Sequence, residues 1–505
     1  MDQVNLFSML DWIVLGIYVI GLIALGWWVS GRQTGVKDYF LGSRQIPWWA
    51  VGISIVAAET SALTFIGVPA MAYAQGGDLS YAQILIGYIL ARIILSIIMV
   101  PAYFKGEIYS AYQLIGNRFG KAPLILCSLF FLIGGSLAAG VRVYVTAIPL
   151  QQILNVDVSV AIVAFVAIAL FYSIKGGVKS VIWTDFMQFA LFIGGGIFTL
   201  FYVPSRMPGL SWSAIFSQAA AAGKMRWFYP EFSFQAPFNI WMGLIGATIG
   251  VIYSHGVDQL LVQKVLCCRD VRDGRKALIL SAIIVFPLFM IFLLVGVMLF
   301  VYTSNYPSAI TLPLNASGIP KWDYIFPLFI VGQMPPVIKG VLIAAILAAA
   351  LSSISGALSA LSSVWTMEFY RRYLNTKRDE RGYLNYSRRV MGVFSIVLAA
   401  IAFLSQNVPL VFNLAFSLAG LTAGALLGAV ILSLWGRERR AWPVLTGMGV
   451  SFALMSVIVV MNLQHKLSIF WPWYPMIGML AMLSVTIFLQ KIACQKSAVR
   501  NNSDD

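Results

Sequence analysis

A glutamate followed by two hydroxyl residues, Glu59-Thr60-Ser61, sits at the centre of an apolar run over about residues 46–74, with Thr64 one turn on and Gly67 and Pro69 beyond. A small polar cluster in such a place lets a helix unwind and expose carbonyl oxygens that bind a cation. The alternative is a kinked helix whose hydroxyls satisfy its own backbone. Glu59 is harder to account for, because an ionisable side chain in hydrocarbon is costly and must be protonated, paired or close to an ion. Arg92, near the middle of the next apolar run, lies at a depth from which it reaches Glu59, either as a structural ion pair or as part of an ion site. Gln83, nearer the outer end of that run, has the chemistry to face a solute or to join two helices.

Arg142 also lies mid-run, with Tyr144 and Thr146 close by. A guanidinium at that depth needs a carboxylate or carbonyl partner, from the protein or from a bound anion. The stretch GGVKSVIWTDFMQ places Asp185 about two turns into a later run, and YSHGVDQLLVQK brings Ser254, His255, Asp258, Gln259 and Gln263 into another. In LIAAILAAALSSISGALSALSSV, Ser352, Ser355, Ser359 and Ser362 recur at three- and four-residue steps and share one helix face. That face serves either close helix packing or a cation site lined with hydroxyls. None of this spells an enzyme. The histidines are His255 and His465, no Ser/His/Asp arrangement carries its usual local signature, and there is no metal cluster or G-x-x-x-x-G-K-[ST] phosphate loop.

These residues are carried by a chain of 505 residues that is 60% hydrophobic and only 10% charged, with mean hydropathy +0.85. Soluble domains carry about 25% charged residues, so the composition belongs to the membrane class. Apolar runs long enough to cross a ~30 Å hydrocarbon core recur along the whole chain. Thirteen spans are predicted, over about 9–30, 46–74, 79–104, 124–153, 157–173, 177–203, 239–263, 277–303, 337–369, 387–405, 408–434, 441–463 and 468–490. The first is a retained helix, because Asp2 and Asp11 stand where a secretory signal has basic residues. Most of the 34 basic residues fall in alternate segments. The opposite side holds Arg206, Lys224, Arg226, Lys321, Lys339 and Lys466, while Arg92 and Arg142 lie inside spans. The positive-inside rule then puts the N-terminus outside and the C-terminus in the cytoplasm. The same rule explains the net charge of +15 without nucleic acid, since the charges form short clusters between spans and not one basic face. Cys127, Cys267, Cys268 and Cys494 fall on or near the cytoplasmic half, so no structural disulfide is expected. Two external segments are long, about 204–238 and 304–336, and the aromatics Trp212, Trp227 and Phe228 of the first suggest a short helix or lid.

At these residues the sequence resembles the sodium/solute symporter family, which includes bacterial sodium symporters for proline, galactose, pantothenate and sialic acid and animal sodium/glucose and sodium/monocarboxylate carriers. The resemblance covers nearly the whole chain and is most specific in Gly176 to Gln188, in Asp258 to Ile279 and in Ala348 to Val364. It implies an all-α integral membrane fold of about thirteen helices. Two inverted five-helix repeats of the LeuT kind form its core, with one helix added before and two after. The repeats would start near residues 46 and 239, each led by a helix interrupted at Glu59–Ser61 or Ser254–Gly256. The implied sodium site comprises the carbonyls of Ala57, Thr60 and Ala349 and the hydroxyls of Ser352 and Ser353. Glu59 would tune sodium affinity or take part in coupling. Asp185 matches an acidic residue implicated in a second sodium site or in inward release, although Ala349 brings no hydroxyl where members with that second site have serine. Ser61, Thr64, Gln83 and Arg142 resemble solute contacts, with Arg142 binding a carboxylate, and Asn413 and Ser417 would close the pocket.

The expected organisation is a first helix and loop over 1–45, one repeat with its external loop over 46–236, the second repeat over 237–436, two further helices over 437–490 and a disordered cytoplasmic tail over 491–505. The expected activity is alternating-access symport of a small carboxylated solute, such as a sugar acid or other organic anion, with Na+ as coupling ion. No other cofactor, nucleic acid or obligatory protein partner is implied, and the location is a bacterial inner membrane. Proton coupling at Glu59 or Asp185 is the alternative within transport. A membrane sensor or a membrane-embedded enzyme is the alternative outside it.

Overall fold

The computed structural model describes residues 7–501 apart from 32, 34, 107, 155, 236–237, 315–317, 375–376, 406–410, 435–439 and 465. The described elements are helices, with one isolated bridge between Leu314 and Pro320. In chain order they are α1 (Met9–Ser30), α2 (Val36–Leu41), α3 (Trp48–Glu59), α4 (Ala62–Tyr73), α5 (Ala82–Tyr103), α6 (Tyr112–Phe119), α7 (Lys121–Leu154), α8 (Val158–Ser205) and α9 (Trp212–Ala221). There follow α10 (Thr248–Gly256), α11 (Gln259–Val265), α12 (Val271–Asn305), α13 (Ile325–Gln333), α14 (Ile338–Val364), α15 (Glu380–Leu404), α16 (Val411–Leu434), α17 (Ala441–Leu463) and α18 (Tyr474–Asn501). Backbone polar groups in hydrocarbon must be satisfied within the segment, and a helix does this.

Among the described residues nine helices are long and apolar enough to cross a membrane, and α3 with α4, bent by 59° at their junction, makes a tenth. The chain is a multi-pass membrane protein. One of the nine, α8, is far longer than a bilayer requires and turns at Gly177, whose φ of +55° lies in the left-handed region. A Cβ at Gly177 would stand 2.4 Å from the Tyr39 carbonyl oxygen, so glycine is needed there for space as well as for conformation. The two expected spans 157–173 and 177–203 are therefore joined by a corner and not by a loop.

The core of the bundle surrounds α14, which is buried along nearly its whole length. It packs on α8, α7, α1 and α3. Small residues make this possible, since a helix rich in alanine and serine brings neighbouring backbones close. Phe65 of α4 sits against Phe192, Phe292 and Phe326, with ring centroids 4.9–5.3 Å apart, and this fixes the outer half of the bent pair to α8, α12 and α13. At the other end of the chain, α18 carries the backbone as helix to Asn501, so the tail expected to be irregular from 491 begins as a continuation of the last span.

Candidate functional site

The first lead helix breaks where the sequence places the polar triplet. Helix α3 ends at Glu59, Thr60 and Ser61 take extended backbone, and α4 begins at Ala62. The Thr60 hydroxyl folds back to the Val56 carbonyl at 2.7 Å and more weakly to that of Ala57 at 3.4 Å. The last carbonyls of α3 thus gather at its negative dipole end, inside the bundle.

Glu59 is paired. Its carboxylate takes a hydrogen bond from Arg92 of α5, a fully buried guanidinium that also donates to the Tyr88 carbonyl at 3.3 Å. Arg92 Nη2 lies 3.0 Å from His255 Nε2, and His255 Nδ1 lies 2.9 Å from the Ser254 hydroxyl. A guanidinium only donates, so Nε2 accepts and the ring proton sits on Nδ1, facing Ser254. Because His255 belongs to α10, this chain of contacts ties the broken α3–α4 pair to α10 through α5.

Below the first break, Asp185 of α8 is a hub. It accepts from Ser352 of α14 at 2.6 Å, from the Ser54 hydroxyl of α3, and from the Lys264 ammonium of α11. Lys264 also reaches the Ser54 carbonyl at 3.0 Å and its hydroxyl at 2.9 Å. Lys264 and Ser54 escaped the sequence reading. Charge counting along the chain groups Lys264 with the basic residues between spans, whereas it is buried and ion-paired within the bundle. The signal was present in the run itself, since Leu261, Val262 and Val265 flank Lys264 with apolar side chains that are buried with it. Of the remaining residues expected around sodium, Ser353 donates to the Ala349 carbonyl at 3.3 Å, and Ala57, Thr60 and Ala349 are all buried. The serine face of α14 divides in its contacts: Ser355 bonds its own helix at Ser352, Ser359 bonds Gln263 at 3.4 Å, and Ser362 bonds the Ser387 carbonyl at 2.8 Å.

The second lead helix enters through a π-helical turn over Met242–Ala247, continues as α10 and stops at Gly256. Asp258 caps the next piece, α11, by accepting from the Leu260 N–H at 2.9 Å. The Tyr103 hydroxyl takes up the Gly256 carbonyl freed by the break. Asp258, Tyr253, Arg142 of α7 and Thr422 of α16 line one cavity of about 50 Å³.

Other expected solute contacts lie apart from that cavity. Gln83 is fully buried beneath the first external segment, donating to the Phe238 carbonyl at 2.5 Å and accepting from the Tyr229 N–H at 3.0 Å. Lys224 of the same segment donates to the carbonyls of Tyr73, Ala74 and Gly77 at 2.5–3.0 Å and so caps the C-terminal end of α4. Burial holds its ammonium pKa down at about 8, against the opposing pull of Asp78. Of the expected short helix or lid, the helix is present as α9, and the stretch after it holds Gln83. Ser61 and Thr64 are partly exposed at the start of α4. The side chains of Asn413 and Ser417, on α16, lie outside the described residues.

The sodium:solute symporter family profile matches residues 39–450. Over 492 residues the chain is 29% identical to the sodium/sialic acid symporter SiaT of Proteus mirabilis (strain HI4320), covering 95% of each protein. It is 27% identical over 468 residues to the sodium/glucose cotransporter of Vibrio parahaemolyticus, covering 88% of this chain and 85% of that one. A solved structure of a sodium-coupled sialic acid symporter, substrate-bound and outward-open, matches with a TM-score of 0.85 at 27% identity over 96% of this chain and 98% of that chain. The nucleobase-cation-symport-1 transporter Mhp1 in a closed conformation, 13% identical with a TM-score of 0.59 over 90% and 94% of the two chains, shares the fold. With the profile spanning most of its length, the chain belongs to the sodium:solute symporter family, and its activity is sodium-coupled symport of a solute.

Proposed function

We propose that sodium is held where the broken end of α3 meets α14, by the carbonyls of Ala57, Thr60 and Ala349 and the hydroxyls of Ser352 and Ser353. The observation that carries this reading is the bridge Ser54–Asp185–Ser352, which clamps α3, α8 and α14 around the freed carbonyls of α3. A hard cation takes neutral oxygens and carbonyl dipoles, and this junction offers both. Asp185 and Glu59 each have a cationic partner, Lys264 and Arg92. Neither is a free carboxyl that would relay protons, which favours sodium over proton coupling and one sodium ion over two.

The solute binds between the two breaks as a small carboxylated compound, with Arg142 taking the carboxylate. Ser61, Thr64, Asn413 and Ser417 complete its surroundings, and Gln83 joins them when the lid opens. The protein works by alternating access in a bacterial inner membrane, with the N-terminus outside. The corner at Gly177 and the two broken helices support thirteen crossings. They form repeats over 46–236 and 237–436, with one helix before and two after.

Reconstituted protein given an inward sodium gradient is expected to accumulate at least one member of a panel of labelled sugar acids, monocarboxylates and amino acids. Ser352→Ala/Ser353→Ala raises the half-saturating sodium concentration about tenfold or more, equivalent to about 1.4 kcal/mol or more of lost binding. Uptake that ignores sodium and follows acidification instead contradicts the reading.

A further inference from the structure

Two opposite charges face the small cavity between α7, α10, α14 and α16 without joining. Arg142 and Asp258 both line it and lie within each other's field, yet no ion pair within 4.0 Å links them. Among the described residues nothing hydrogen-bonds to the Arg142 guanidinium, and the one hydrogen bond to the Asp258 side chain is the Leu260 N–H at its helix cap. The other mid-membrane carboxylates are already matched, Glu59 by Arg92 and Asp185 by Lys264. Both side chains are half-buried at the cavity, and a charge within the bundle without a direct partner is expensive, so an unjoined pair flanking one cavity is a place for a third body carrying the complementary charges.

The rest of the wall limits what that body is. Gly135, Ala138, Ala357 and Ala419 supply space and an apolar surface, while the hydroxyls of Tyr253 and Thr422 are the remaining polar side-chain groups. Hydroxyls of a solute turned to this wall would go unpartnered, at about 1–3 kcal/mol each, so the part of the solute that enters here is the charged part. A simple monoanion would satisfy Arg142 and leave Asp258 uncompensated.

We infer that the solute is a compact zwitterion, its carboxylate on the Arg142 guanidinium and its ammonium or other fixed cation on the Asp258 carboxylate. This rests on the reading above that Arg142 contacts the solute, and it replaces the sugar acid or plain organic anion with an amino acid or betaine. A planar guanidinium takes a carboxylate through two parallel hydrogen bonds, and Asp258 Oδ2 is free of the cap bond made by Oδ1. At about 50 Å³ the cavity holds one or two waters, so the Gly256–Asp258 break must swing away from α7 to admit the body of the solute. Transport then carries one net positive charge with each sodium ion, whereas a monoanion would cross without current.

The test uses the full-length protein in detergent with saturating sodium. Thermal stability is measured against the twenty L-amino acids and glycine betaine, each amino acid paired with its desamino acid where one exists, and against gluconate and glucose. At least one zwitterion is expected to raise the melting temperature beyond sodium alone, with its desamino partner at least about tenfold weaker. Asp258→Asn keeps the helix cap, because asparagine caps as well as aspartate. It should weaken that zwitterion about tenfold to a hundredfold while the sodium response remains, and Arg142→Gln should do the same. In proteoliposomes the same zwitterion should generate an inward positive current. A monocarboxylate or sugar acid that stabilises where no zwitterion does overturns the inference, as does an Asp258→Asn variant that binds the zwitterion unchanged. A sodium response that nothing in the panel augments also overturns it and leaves the symporter intact. If sodium itself has no effect on wild type or variants, the symport reading falls with it.

Discussion

Glu59 and Arg92 show how a costly pair of residues is made tolerable inside a membrane protein. Each alone would be an uncompensated charge at depth; together, with His255 and Ser254 behind them, they become a neutral strut between the two lead helices. Replacing Glu59 by Gln strands the Arg92 guanidinium and is expected to cost about 3–5 kcal/mol of stability. The double variant Glu59→Gln/Arg92→Gln should recover much of that loss, as read by unfolding of the purified protein in a double-mutant cycle. A single variant as stable as wild type would show that the pair is not structural. Asp185 and Lys264 are subject to the same logic. Lys264→Met should abolish sodium-driven uptake and lower stability, and Lys264→Met/Asp185→Asn should restore stability without restoring uptake. Equal uptake by Lys264→Met and wild type would contradict this. The Glu59–Arg92 pairing was legible in the sequence because depth in a span is readable by counting. Lys264 was not, because it stands beside a true cytoplasmic cluster, Arg269 to Lys276, and charge counting along the chain does not say which way a side chain turns. Asp258 was visible as a polar residue, but its sharing of a cavity with Arg142 depends on where the break after α10 falls beside α7, a non-local fact.

At the scale of elements, the two breaks in the lead helices and the corner at Gly177 are written in local chemistry. Hydroxyls and glycine interrupt apolar runs at Thr60–Ser61, Gly256–Asp258 and Gly177, and each interruption has a partner for the backbone or for space. Gly177→Ala must adopt a left-handed φ and displace Tyr39, so a loss of about 1–3 kcal/mol is expected in thermal unfolding. A neutral result would mean the corner relaxes. The short helix of the segment over 204–238 was legible from its aromatics, but the grip of that segment on Gln83 and on the end of α4 was not, since loop paths carry no periodic signal. Lys224 gives that segment a pH signature. Its pKa of about 8 in the folded protein lies below the ordinary lysine value of 10.5. The unfolded chain therefore binds the proton more tightly, and this residue makes stability rise with pH from about 8 towards about 10. The melting temperature of Lys224→Met should lack that rise over the same window. Parallel curves for the two proteins would remove Lys224 from the account.

At the scale of the whole molecule, the charge pairs leave the bundle nearly neutral at mid-depth, so the transported species decides what the membrane potential does. One sodium ion with a solute of no net charge gains about 2.3 kcal/mol per 100 mV, and a sodium gradient of similar size doubles it. At 1.4 kcal/mol per tenfold, this supports roughly a thousandfold solute gradient. The distribution of basic residues predicts the orientation. Reporter fusions at the C-terminus should be active only as cytoplasmic reporters, and a C-terminal fusion active only outside would reverse the topology. The fold was legible from composition and from three motifs spread along the chain, whereas its closure around α14 is a matter of packing that no single segment encodes. The central claim is that sodium binds at the junction of α3 and α14, and its most direct measurement is the melting temperature of the purified protein in sodium, potassium or choline. At a hundred times its dissociation constant, sodium should stabilise by about 2.7 kcal/mol. Potassium and choline should not, and Ser352→Ala/Ser353→Ala should lose most of the effect. A sodium effect that the double variant retains, or that potassium reproduces, contradicts the site.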